Sequence, residues 1–453
     1  MRTVVLVDGE HYPPVTRWAI DAAITRGHEV VAALLVGGTE KVRPGAPPDL
    51  GVPLRIAGAD RPGALASMLD EVRPAVVLDL SDEPVLGYRE RMELASVSLR
   101  RGVAYVGADF RLDPPVADAP PPGLATLAVI GTGKRAGKTA IAGALARMAD
   151  RRGLDPVVVA MGRGGPSEPQ LVEAGSVSLE HLLDLVRAGD HAASDYLEDA
   201  VTTGVTTIGA RRAGGGLAGA PYVTNVPEAV ALAAARHPGL LVLEGSGAAL
   251  PPVDWDAGVL VVPASCPIEY VRGYLGPYRL LRSDLAIVTM ANSSVPGSPI
   301  PGLGLGPDHL SELTSHLRRS LGRSGCVVTD FHPEPLADVR GSDAFFTTTA
   351  PAGVAAGQIA RLEADHGCRV VGWSARLADR AGLAEDLDSA EGYDVLLTEL
   401  KAAAVDVAAE RALARGADVV FVDNRLEVVD GPTELDTVLG GPIELALERS
   451  RNR

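Results

Sequence analysis

Cysteine, aromatic side chains and positive charge are all scarce in this chain of 453 residues. Its three cysteines, Cys266, Cys326 and Cys368, are widely spaced and odd in number. They build neither a disulfide framework nor a metal knuckle, which points to a reducing compartment, and each is expected as a small buried residue. Aromatics are 4% of a chain that is 46% hydrophobic. Its cores must therefore be filled by Val, Leu, Ile and Ala, as buried parallel sheets usually are. Lys and Arg number 42 against 58 Asp and Glu, a net charge of −16. Such a chain repels nucleic acid and anionic lipid, so an anionic ligand must be held by local positive clusters. No run approaches the roughly 18 apolar residues that span a bilayer. The opening strand-like run, Thr3–Val7, leads into Asp8 and Glu10 rather than a secretory core. A cytoplasmic protein with no membrane or nucleic-acid partner is expected, with a homodimer left open.

Length suggests two to three domains. Strand-like runs at 3–7, 30–35, 75–80 and 103–106 alternate with helical stretches around 15–26, 63–72 and 87–100, the rhythm of a parallel sheet with crossover helices. Pro114, Pro115 and Pro120–Pro122 form a stiff connector. Further runs at 127–130, 156–161, 206–208, 240–243, 258–262 and 285–290 continue the pattern, as do runs at 326–331, 344–348, 369–373, 395–397 and 418–422. The reading is α/β: a Rossmann-like N-terminal domain over residues 1–118, a P-loop NTPase-type parallel-sheet domain over 124–320, and a C-terminal β/α extension or domain over 321–453. The stretch Pro296 to Pro307 reads as a loop or second boundary, and the tail Arg449–Arg453 as frayed.

What stands out is Gly131-Thr-Gly-Lys-Arg-Ala-Gly-Lys-Thr139, placed between a strand-like run and an Ala-rich helical segment. In that context glycine lets backbone N–H groups close around phosphate, and the helix N-terminus adds a favourable dipole. Gly131, Thr132, Gly133, Ala136, Gly137, Lys138 and Thr139 are the expected ATP contacts. Lys138 would reach the β/γ-phosphates and the Thr139 hydroxyl would bind Mg²⁺. The loop carries Thr132 where the common pattern has its first glycine, and it resembles that of dethiobiotin synthetase and the amide-forming cobyric acid synthases. Lys134 or Arg135 can bring a second positive charge to the phosphates.

Open α/β sheets bind ligands at the carboxyl ends of their strands, which selects the other loops. Glu244-Gly245-Ser246-Gly247 follows one strand, and Glu244 is expected as a metal ligand. Arg163, in Gly162-Arg163-Gly164-Gly165, and the pair Arg211-Arg212 before three glycines are arginines embedded in glycine, suited to gripping an anion. Glu10 and His11 follow the first strand, and Ser81-Asp82-Glu83-Pro84 follows a later one. Lys401 is read as either a substrate contact or a snorkelling lysine, and Asn292 as a reader of the nucleotide base. Asp423-Asn424-Arg425 and His332 are placed at strand ends. The histidines have no zinc spacing, and no Ser-His-Asp arrangement is defensible.

Together, V-D-G-E-H-Y-P-P, the phosphate loop, V-A-M-G-R-G-G-P, L-E-G-S-G and E-L-K-A-A-A-V-D resemble cyclic 2,3-diphosphoglycerate synthetase over nearly the whole chain. The resemblance implies an ATP- and Mg²⁺-dependent ligase that closes the two phosphates of 2,3-diphosphoglycerate into an intramolecular phosphoanhydride, releasing ADP and phosphate. Two dianions about 5 Å apart repel by roughly 3 kcal/mol in water and roughly 13 at an effective dielectric of 20, so several fixed cations are required. Lys138, Lys134 or Arg135, Arg163, Arg211 and Arg212 are the expected catalytic cations, and Glu10, His11, Arg163, Arg211, Arg212 and Lys401 the expected substrate contacts. The alternatives are a phosphoglycerate kinase-type phosphotransferase and a nucleotide-switch ATPase.

Overall fold

A computed structural model describes residues 1–38, 48–291, 308–432 and 434–453. Asn292 and the Pro296–Pro307 stretch lie outside the described residues. The chain divides into two compact units, Met1–Val116 with Pro267–Arg282, and Ala117–Cys266 with Ser283–Arg453.

In the first unit the strands are β1 (Arg2–Val7), β2 (Glu29–Leu35), β3 (Leu54–Ile56), β4 (Val76–Asp79), β5 (Ala104–Val106) and β6 (Arg111–Leu112). They form one sheet ordered β3-β2-β1-β4-β5-β6. β1 to β5 are parallel, and β6 turns back antiparallel on β5. Val4 to Val7 are buried without alternation because helices cover both faces. Strand order reverses between β1 and β4, which brings Asp8 beside Asp82: the Asp82 amide donates to Asp8 Oδ2 at 2.7 Å. Residues 267–282 belong to this unit, and there Glu269 accepts from the Tyr88 hydroxyl (2.6 Å) and Arg89 Nε (3.1 Å).

The second unit holds β7 (Thr126–Gly131), β8 (Val157–Gly162), β9 (Gln170–Val172), β10 (Thr206–Ala213), β11 (Val223–Thr224), β12 (Leu241–Glu244), β13 (Ala257–Pro263), β14 (Leu285–Thr289), β15 (Cys326–Pro335), β16 (Asp343–Thr347), β17 (Arg369–Ser374), β18 (Val395–Glu399) and β19 (Asp418–Asp430). All thirteen share one sheet, ordered β11-β10-β8-β12-β7-β13-β14-β15-β19-β18-β16-β17, with β9 paired to β10. β15 continues the parallel P-loop strands, and β19 then runs antiparallel to it and sets the direction of β18, β16 and β17. The C-terminal β/α segment is thus an extension of the P-loop sheet, turned over at one seam.

That seam corrects two expectations. β15 and β19 run on past Phe331 and Val422, so His332 and Asp423–Arg425 lie inside paired strands, with His332 opposite Arg425. Polar residues alternate along both strands, so apolar runs alone mark their ends too early. The tail is also not frayed. A helix spans Leu435–Asn452 and packs Leu439, Ile443 and Ala446 with Ile141 and Leu145 of the P-loop helix Lys138–Arg151. Beyond it, Arg453 donates to the carbonyls of Pro120 and Leu124, both at 2.8 Å, and Arg449 grips Asp284 at 2.8 Å. Among the described residues, no helix is long and apolar enough to cross a membrane.

Candidate active site

The phosphate loop leaves the buried end of β7 and re-enters structure at Lys138, the first residue of its helix. Gly137 takes φ +90°, and a Cβ there would sit 2.6 Å from the Phe331 ring of β15. Only glycine serves at such a position. Behind it, Thr289 Oγ1 donates to the Ala136 carbonyl at 2.7 Å. Lys138 is buried, and its ammonium folds back onto the Gly133 carbonyl at 2.9 Å. Burial lowers its pKa, with Arg163 and Arg212 adding to the effect and Glu244 and Asp195 opposing it. Lys134 and Arg135 stand exposed on the loop, Arg135 with φ +58°.

Glu244 closes β12, between β7 and β8, and accepts from the Thr139 hydroxyl at 2.7 Å. Its second oxygen is buried with no hydrogen-bond partner, and both oxygens of fully buried Asp199 share that condition. Burial raises the Glu244 pKa to about 7, helped by the Asp195 carboxylate and opposed by the Thr139 bond, the neighbouring Asp199 carboxyl and Lys138. Burial also raises that of Asp199, and Glu244 raises it further. Adjacent buried carboxyls of this kind share a proton or need a cation. One hydroxyl and two carboxylates with spare oxygens form a donor set that fits a hard divalent ion.

Positive charge converges from the neighbouring loops. A Cβ on Gly247 (φ +62°) would lie 2.5 Å from Arg163 Nη2 and 3.3 Å from Arg212 Nη2, so both guanidinium groups pass over this glycine. Arg212 also donates to the carbonyls of Ser246 (2.7 Å) and Gly214 (2.6 Å), which fixes its direction. Arg211 does not join them. Successive residues of β10 face opposite ways, and Arg211 Nε instead donates to the carbonyls of Gly165 (3.0 Å) and Pro166 (2.8 Å). It braces a turn.

Lys401 lies in the loop after β18, with Nζ 3.3 Å from Glu198 Oε1. Glu10 and His11 lie in the first unit, where Asp8 Oδ1 accepts from both their amides (3.0 and 3.1 Å) and contacts His11 Nδ1 at 2.8 Å. They surround the point where the strand order of that unit reverses.

The helix Asp195–Thr203, which begins after Ser194, carries no strand-end or glycine-loop motif to mark it in the sequence. Asp195, Glu198 and Asp199 are spaced i, i+3, i+4, so three carboxyls line one face. Asp199 meets Glu244, and Asp195 acts on Lys138, Arg212 and Glu244. That spacing was the available signal. Phe331 carried none, because its contact with the loop depends on the seam.

A buried lysine followed by a threonine at the head of a helix, answered by a strand-end glutamate, defines a nucleotide-binding P-loop protein of the α/β class. Three family models match the chain: the N-terminal domain of cyclic 2,3-diphosphoglycerate synthetase over residues 2–113, its P-loop domain over 126–298 and its C-terminal domain over 335–425. The cyclic 2,3-diphosphoglycerate synthetase of Rubrobacter xylanophilus is 47% identical over 427 residues, 94% of each chain. That of Methanothermobacter thermautotrophicus is 37% identical over 98% of this chain and 96% of its own, and that of Thermococcus kodakarensis 39% over 96% and 97%. The chain belongs to the cyclic 2,3-diphosphoglycerate synthetase family and is an enzyme of that type, as its motifs suggested.

Proposed function

We propose that this enzyme converts 2,3-diphosphoglycerate and ATP into cyclic 2,3-diphosphoglycerate, ADP and phosphate, acting in the cytoplasm. The observation that carries the reading is the Thr139–Glu244 bond beside Lys138, with Arg163 and Arg212 gathered over Gly247. Magnesium, when bound, would neutralise charge on the β- and γ-phosphates; Thr139 and Glu244 would hold it, with Asp199 alongside. Lys138 exchanges the Gly133 carbonyl for the nucleotide phosphates. One substrate phosphate oxygen attacks the γ-phosphorus in line and ADP leaves. An oxygen of the second substrate phosphate then attacks the inner phosphorus of the new anhydride, and inorganic phosphate leaves as the ring closes. Arg163 and Arg212, with Lys134 or Arg135 from the exposed loop, offset the repulsion between the two phosphates; Arg211 is left out because it faces the other way from Arg212 on β10 and braces the Gly165–Pro166 turn. Positioning and electrostatics carry the rate, with no covalent enzyme intermediate. Glu10 and His11 are assigned to substrate from their place in the polar cluster that follows β1.

Phosphorus NMR of the purified protein with ATP, Mg²⁺ and 2,3-diphosphoglycerate tests this. The expected result is a coupled pair of phosphoanhydride resonances from a three-carbon product, growing in step with inorganic phosphate. ADP formation without phosphate release would indicate a simple phosphotransferase instead.

A further inference from the structure

The carboxyls on the shared face of the helix Asp195–Thr203 meet different partners. Asp195 and Asp199 face the phosphate loop and Glu244, whereas Glu198 reaches Lys401, in the loop after β18. Lys401 is held on a rigid base. Its amide donates to the Glu399 carbonyl at 2.9 Å, and its own carbonyl accepts from Ala404 at 3.0 Å. The Glu399 carboxylate is fixed in turn by the Thr349 amide (2.8 Å), the Thr349 hydroxyl (2.7 Å) and Asn424 Nδ2 (3.1 Å). Burial alone would raise the Glu399 pKa, but Lys401 and these bonds outweigh it and leave it lowered. Thr349, Glu399 and Asn424 come from β16, β18 and β19 or their ends, so this base is built by the turned-over part of the sheet.

The charges here need one another. Burial raises the Glu198 pKa to about 8, Asp195, Glu399 and Glu244 add to the rise, and Lys401 is the cation that opposes it. A buried carboxylate that loses its partner either takes a proton or moves toward water, and movement of this helix would carry Asp195 and Asp199 away from Glu244. Lys401 keeps about a third of its side chain accessible (34%) while its ammonium is engaged by Glu198.

We propose that Lys401 is a positioning residue: through Glu198 it anchors the acidic helix so that Asp199 stands beside Glu244 where the divalent cation is received. Lys401 then acts on cation affinity rather than on the three-carbon substrate, and the C-terminal part of the sheet contributes to the phosphate site by this contact. The proposal rests on the cation-holding role given above to Thr139 and Glu244.

The test is direct binding in the full chain, with Mn²⁺ as the paramagnetic probe and ATP present but no 2,3-diphosphoglycerate, so its outcome does not depend on which reaction the enzyme performs. Lys401→Met is expected to weaken Mn²⁺ binding at least tenfold, Lys401→Arg to hold it within about threefold, and Lys401→Met with Glu198→Gln to recover most of the loss. In parallel turnover assays KM for 2,3-diphosphoglycerate should change less than threefold in Lys401→Arg and in the double variant. Unchanged Mn²⁺ binding in Lys401→Met, or no recovery in the double variant, overturns the proposal. If Lys401→Met does not fold, Lys401→Gln decides in its place: it removes the cation and keeps a polar side chain, and unchanged Mn²⁺ affinity in that variant overturns the proposal equally. Failure of wild-type protein to bind Mn²⁺ with ATP would instead sink the cation-holding role of Glu244.

Discussion

Glu244 ties stability to function at the scale of single residues. Its pKa of about 7 lies above the ordinary 4.5. Its contribution to stability is therefore full below about pH 4.5 and is lost as pH rises through about 7. A shift of that size corresponds to at most about 3 kcal/mol. Glu244→Gln keeps an acceptor for Thr139 and never ionises. Without nucleotide or cation, urea unfolding should find it equal to wild type near pH 4.5 and more stable by about 1–3 kcal/mol at pH 8, although it loses turnover. Equal stability at both pH values would refute the proton-sharing pair. The adjacent arginines make a second contrast. Arg212→Ala should raise KM for 2,3-diphosphoglycerate roughly ten- to hundredfold, the worth of a charged hydrogen bond. Arg211→Ala should leave KM within about threefold and lower the melting temperature, because its bonds hold the Gly165–Pro166 turn. The sequence placed both arginines beside glycine but could not assign them to faces, since the exact strand phase of β10 is what separates them.

Among the elements, the phosphate loop was the most legible, because strand, glycine turn and helix are contiguous and its chemistry is local. The acidic helix was less so: its three carboxyls are spaced for one face, but only tertiary packing shows that the face meets Glu244. Phe331 lies further from sequence reach, arriving from a strand almost two hundred positions downstream. Gly137→Ala should weaken binding of a fluorescent ADP analogue more than tenfold, since it combines a strained dihedral, costing about 1–3 kcal/mol, with the Phe331 collision. Adding Phe331→Leu should recover the affinity only in part, because the dihedral strain remains. Full recovery would show that packing alone sets the loop.

On the scale of the whole molecule, the alternating β/α rhythm and the Val/Leu/Ala cores were readable from composition and period. The seam between β15 and β19 was not, because strand direction leaves no mark on hydrophobic pattern. Nor was the grip of Arg449 and Arg453, whose partners are backbone carbonyls and two aspartates, Asp256 and Asp284. The assignment of 267–282 to the first unit was equally invisible, since it interrupts the P-loop strands between β13 and β14. It has a practical consequence. A protease that nicks the proline connector would cut the backbone but leave the amino-terminal piece wrapped around a loop still covalently part of the larger one. The digest should show two bands on a denaturing gel and elute as one particle from a sizing column. Expressed alone, Met1–Val116 would lack the stretch that carries Glu269, the partner of Tyr88 and Arg89, and should be the less soluble for it.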